Sequence, residues 1–144
     1  GAQAAGKPVW LSVTVDDYDG FKLRSGEPVS DLARVVEKYR PAAVLANCSV
    51  PEAMADALAA LKSLGLPFGA YANGFTHISN NFLKDQPTVA ELTHRHDLTP
   101  EKYTEFALSW VDMGATIVGG CCDVGPAHIR ALADALRGRG HRIV

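Results

Sequence analysis

Four short apolar runs alternate along the chain with four longer stretches in which apolar residues recur every three or four positions. The runs are residues 9–15, 43–47, 67–72 and 115–120; the last has the β-branched centre Thr116-Ile117-Val118 and runs into Gly119-Gly120, and all four are short and apolar. They predict strands. The first is apolar at both parities, as a parallel strand covered by helices should be. The longer stretches predict helices. Ser30 is placed to cap one that runs to about residue 40, with Leu32, Val35, Val36 and Tyr39 on one face and Pro41 as its stop. Ser49 and Glu52 have the spacing of a capping box, with Pro51 in the first turn and Met54, Leu58 and Leu61 as the apolar stripe that follows, ended by Gly65. Thr99 and Pro100 open a third helix whose Tyr103, Phe106, Ala107 and Trp110 face inward; Gly114 ends it. Pro126 opens the last, with Ile129, Leu132, Ala133 and Leu136 inward and Gly138 and Gly140 closing it.

Strand–helix order repeated four times requires right-handed crossovers, so the strands are predicted to lie parallel. The class is α/β. Two architectures satisfy the pattern: half of an eight-unit β/α barrel, which takes about 250 residues when complete, or a free-standing four-stranded doubly wound sheet. Residues 1–6 read as a frayed lead-in, and residues 16–28 as a loop rich in Asp and Gly. Residues 74–98 are polar and without periodicity. Connections this long are usually functional or disordered. Because this one follows a strand's C-terminal end, it is expected to cross the rim there as a lid or partner-contact loop.

Composition narrows the class. The chain has 144 residues, 47% apolar and 21% charged, which suits a single domain with a real core. A formal net charge of −2 without charge blocks argues against nucleic acid or an anionic membrane as partner. No apolar run approaches the roughly 20 residues of a membrane span, and no signal-peptide pattern is present. The first residue is Gly rather than Met, so the chain is expected to be a processed or partial product. Three cysteines without disulfide-framework spacing predict reduced thiols and a cytoplasmic setting.

Those cysteines carry the candidate chemistry. Cys48 follows the second strand; Cys121 and Cys122 follow the fourth, after Gly119-Gly120. Both places lie where a strand ends and a helix begins, the rim at which α/β folds bind ligands. Three thiolates meeting there could hold zinc and leave a fourth position open for substrate. Neighbouring residues of a regular strand point to opposite faces, so Cys121 and Cys122 share a metal only if the chain leaves strand geometry, for which the glycine pair offers the freedom. The other readings are buried small hydrophobes and a vicinal disulfide. Thr14 and Tyr71 lie at strand ends on the same rim, either as substrate contacts or as satisfied core hydroxyls. Asp16 and Asp17 read as solvated loop acids, with an amino-group contact as the alternative. His77 reads as a surface residue, as do His94 and His96, which resemble a metal pair by type but sit in a polar loop with Arg95 between them; His128 reads as a surface or capping residue in the first turn of the last helix. No Ser-His-Asp set is evident.

Asn47-Cys48-Ser49 after one strand and Gly119-Gly120-Cys121-Cys122 after a later one, followed by Pro126, His128 and Ile129, resemble the homocysteine S-methyltransferase family. Ser12 to Thr14 and Tyr71 to Asn73 extend the match over essentially the whole chain. The resemblance implies an eight-stranded β/α barrel of which this chain is the C-terminal half, strands five to eight. It implies that Cys48, Cys121 and Cys122 are zinc ligands and that methyl transfer to homocysteine gives methionine, with no catalytic residues beyond those ligands. The methyl donor is open: S-methylmethionine, S-adenosylmethionine, betaine, and folate or corrinoid systems occur in relatives. The N-terminal half of the barrel or another chain is expected as partner. Family members often carry Gly-Thr after the cysteine pair; Asp123-Val124 stands here. The rival from another class is a non-catalytic zinc- or thiol-binding α/β module.

Overall fold

The computed structural model describes residues 2–78 and 88–144. Its elements run β1 (Trp10–Val13), α1 (Leu32–Tyr39), β2 (Ala43–Asn47), α2 (Met54–Lys62), β3 (Phe68–Tyr71), α3 (Pro100–Asp112), β4 (Ile117–Val118) and α4 (Pro126–Gly138). The four strands form one sheet in the order β1-β2-β3-β4, every neighbouring pair parallel. The expected alternation is therefore present, and the spatial order equals the sequence order. A doubly wound sheet reverses its strand order at a switch point; no reversal occurs among these strands.

Register separates the two faces. One row runs Val13, Ala46, Ala70, Val118, with Leu11, Val44 and Phe68 on the same side. These residues belong to the main core, where they meet Met54, Leu58 and Leu61 of α2, Tyr103, Ala107 and Trp110 of α3, and Leu132 and Leu136 of α4. The helices thus cover one face, in chain order. The opposite face carries the row Ser12, Leu45, Gly69, Ile117, flanked by Trp10, Asn47 and Tyr71. Those residues are outside that core, and Trp10 is 57% exposed.

Several local expectations are corrected. Residues 2–5 form a single 3-10 turn rather than a frayed end. Ser30 does not cap α1; a 3-10 turn over Val29–Asp31 leads into the helix without a side-chain cap, and Arg40 closes it in the left-handed region at φ 45. Tyr39 is 47% exposed rather than core, and so is Ile129 at 41%. Ser49 and Glu52 form no capping box: α2 is entered through a 3-10 turn over Pro51–Ala53 with Val50 as cap, because both side chains have longer-range partners. Thr99 does cap α3, its hydroxyl accepting from the Lys102 amide.

Candidate metal centre

Cys48 and the cysteine pair reach one place by different routes. The ladder between β2 and β3 continues past the strands: Cys48 N–H donates to Tyr71 O at 3.1 Å and Asn73 N–H to Ser49 O at 3.0 Å. Within it Cys48 takes φ 49, in the left-handed region. That is uncommon for a residue with a side chain and turns its thiol out of the strand's alternation. On the other arm, Gly119 N–H donates to Ala70 O and Cys121 N–H to Ala72 O, so strand-like pairing persists to Cys121. The departure expected at Gly119-Gly120 comes one step later, in a tight turn closed by Val124 N–H to Cys121 O, with Asp123 at φ 64. Neither of the two glycines has positive φ. Gly120 is required for space, since a Cβ there would collide with the Val124 side chain.

The result is a cluster in which the sulfurs of Cys48, Cys121 and Cys122 all lie within 4.8 Å of one another. Cys48 Sγ is 3.7 Å from Cys122 Sγ, and Cys121 Sγ is 3.8 Å from Cys122 Sγ. All three are free thiols, Cys122 exposed and the others half-buried. The three side chains offer soft donors from two non-adjacent strand ends, the set that binds a thiophilic metal. Without one, protons are shared over the cluster. Cys121 is lowered to about 6, chiefly by the Cys48 thiol beside it, while Cys48 is raised strongly by the same neighbour and by burial. Burial also raises Cys122. Sulfur contacts join Cys122 to both Cys48 and Cys121, while the lowering of Cys121 comes chiefly from Cys48. The titration therefore belongs to the trio rather than to either pair.

The surroundings fix both arms. Gly74 N–H donates to Cys122 O at 2.9 Å, so the segment after β3 runs between the two ligand arms. Tyr103, fully buried on α3, donates its hydroxyl to Gly119 O at 2.6 Å and accepts from Ala72 N–H at 3.1 Å, joining the ends of β3 and β4 under the cysteine pair. Burial raises this phenol and keeps it protonated as a donor. His128 accepts from Gly125 N–H through Nδ1, which leaves Nε2–H to donate to Leu98 O at 3.0 Å. Its expected capping role is what the structure shows.

Tyr71 donates its hydroxyl to Ser12 Oγ at 2.7 Å, and Ser12 donates to Asn47 Oδ1 at 3.0 Å, a chain on the sheet face away from the helices. Thr14 is half-buried past the end of β1, and its carbonyl accepts from Arg24 N–H. His94 Nδ1 lies 2.9 Å from Asp123 Oδ2, bringing the 74–98 segment onto the turn that carries Cys122; His96 is exposed. Asp17 corrects an expectation: its side chain is 3% exposed and ion-paired with Arg24, not solvated. The described ends of the 74–98 segment thus lie at the cysteine rim. Its middle, residues 79–87 of the expected lid or partner-contact loop, lies outside the described residues. Among the described residues no helix is long and apolar enough to cross a membrane.

The sequence profile of the family described as homocysteine S-methyltransferase matches residues 1–136. Homocysteine S-methyltransferase 4 of Zea mays is 30% identical over 136 residues, covering 90% of this chain and 36% of its own length. Homocysteine S-methyltransferase of Escherichia coli strain K12 is 30% identical over 125 residues, covering 85% of this chain and 37% of its own. A selenocysteine methyltransferase of Astragalus bisulcatus is 27% identical, covering 90% and 36%. The chain therefore spans little more than a third of these relatives.

Proposed function

The chain belongs to the homocysteine S-methyltransferase family, and from that premise we propose that it supplies the metal-holding half of a zinc-dependent enzyme transferring a methyl group to the thiol of homocysteine, giving methionine. The convergence of the three sulfurs within 4.8 Å carries the reading. Cys48, Cys121 and Cys122 would hold the ion, leaving its fourth position for the substrate. Zinc bound there would keep a substrate thiol ionised at neutral pH, where a free thiol is mostly protonated.

The chain's own residues do the rest. The cysteine arms place the acceptor sulfur at the C-terminal rim, and displacement at the methyl carbon then depends on alignment with the donor. Thr14 and Tyr71 serve as substrate contacts. Reduced thiols fit a cytoplasmic setting. The parallel order β1-β2-β3-β4, with the described helices all on one face, fits strands five to eight of a β/α barrel. The face bearing Trp10 and Tyr71 would then line the barrel interior, closed by an N-terminal half, a second copy or another chain.

The test is one assay series. The chain, completed by the missing half of a relative, is loaded with one zinc per cluster and given homocysteine with each candidate methyl donor in turn. Methionine formed with one donor and lost on zinc removal supports the reading. Zinc binding with no thiol methylation from any donor rejects it in favour of a non-catalytic module.

A further inference from the structure

The left-handed turn at Cys48 persists only if its surroundings hold it, and one carboxylate ties together segments on either side of it. Asp17 Oδ1 accepts from Arg24 at 3.1 Å and from Val50 N–H at 3.0 Å. Its Oδ2 accepts from Arg24 at 3.1 Å and from Ile78 N–H at 2.7 Å. Val50 lies two residues beyond Cys48. Ile78 lies four beyond Gly74, whose own N–H holds the Cys122 carbonyl. Arg24 also donates to Ser49 Oγ at 3.2 Å. Ser49, fully buried, is in turn tied to both backbone groups of Val15: its hydroxyl donates to Val15 O at 2.8 Å and accepts from Val15 N–H at 3.0 Å.

A buried ion pair is a poor source of net stability, since desolvation offsets the attraction. With both oxygens doubly engaged, the Asp17 side chain yields geometry instead: it locks the Cys48 arm, the loop after β1 and the 74–78 segment into one piece. We propose that Asp17, acting through Arg24 and the Val50 and Ile78 amides, is a positioning residue of the metal centre that sets where the Cys48 sulfur stands relative to Cys121 and Cys122. The proposal rests on the metal reading of those cysteines.

Asp17→Asn keeps the shape but turns one acceptor into a donor, so four donors can no longer be satisfied. The experiment uses the full chain in the oligomeric state it adopts. Cobalt(II) is titrated while the sulfur-to-cobalt charge-transfer absorption is followed, and arsenite, which takes three thiolates without an open position, is titrated separately. Leu61→Ala, a fully buried position at the far end of α2, serves as a control for lost stability alone. Asp17→Asn should weaken both ions by about tenfold or more, the range for partners that orient metal ligands, and reduce the charge-transfer intensity. Leu61→Ala, matched in thermal stability, should change neither. Wild-type titration curves for Asp17→Asn, or an equal loss in Leu61→Ala, would overturn the proposal. A wild-type chain that takes arsenite but not cobalt rejects the metal reading, and the arsenite comparison then decides the clamp. One that takes neither overturns both.

Discussion

At the scale of single residues, the cluster makes the three cysteines unequal before any metal arrives. With Cys121 near 6 and the other two raised, the trio at pH 7 holds about one thiolate and two protons. Binding a metal to three thiolates must expel those protons, so affinity rises with pH. Between pH 7 and 8 the slope should be about two protons per metal, a hundredfold per unit, and below 6 it should steepen toward three. A chelator-competition titration across this range checks it; a flat profile would remove the thiols from the site. Cys48→Ala, Cys121→Ala or Cys122→Ala should each abolish tight binding and methyl transfer in the completed enzyme, and activity surviving any one of them excludes that residue. Tyr103→Phe leaves Gly119 O and Ala72 N–H without their shared hydroxyl partner. It should cost about 1–3 kcal/mol of stability, as for buried groups left unpaired, measured by denaturant unfolding.

At the scale of elements, close approach rather than special dihedrals explains the glycines near the site. A Cβ on Gly69 would run into Ile117 O, where β3 and β4 pair. A Cβ on Gly120 would meet Val124 and sit 3.2 Å from Ile129 Cδ1. Gly120→Ala should therefore push α4's first turn away and displace the cysteine turn. The expected outcome is tenfold or greater loss of metal affinity, the range for residues that orient ligands, with most of the helical circular dichroism retained. Unchanged affinity would show that the turn yields more easily than its packing implies. β4 is only Ile117–Val118 by regular pairing, yet strand-like hydrogen bonds continue from it to Cys121.

At the scale of the whole molecule, the sheet formed by the described residues is covered by helices on one face, and its outer strands are β1 and β4. Trp10 at 57% exposure marks apolar surface left on the other face, and open sheet edges invite pairing with another chain. The 144 residues expressed alone are expected to self-associate and to show little methyl transfer, although they carry the entire thiol cluster. Light scattering with a homocysteine methylation assay checks both at once. A well-behaved, active monomer would rule out the half-barrel reading.

Pattern in the sequence was enough for the four strand–helix units, their parallel sense, the start of α3 at Thr99-Pro100 and the position of the three cysteines at strand ends, because each follows from the order and local pattern of side chains. Spacing left open whether those thiols meet. That depends on β3 being threaded between β2 and β4, and on where the chain leaves strand geometry, at Cys48 and Asp123 rather than at the glycine pair. Asp17 reads as a solvated loop acid because nothing local says that Arg24 and the Val50 and Ile78 amides will donate to it. Ser49 reads as a helix cap for the same reason: its partner Val15 lies past the end of β1. Short-range rules describe a residue's preferences among nearby groups. The metal centre is built from long-range contacts, and only the folded sheet decides which of those preferences are overruled.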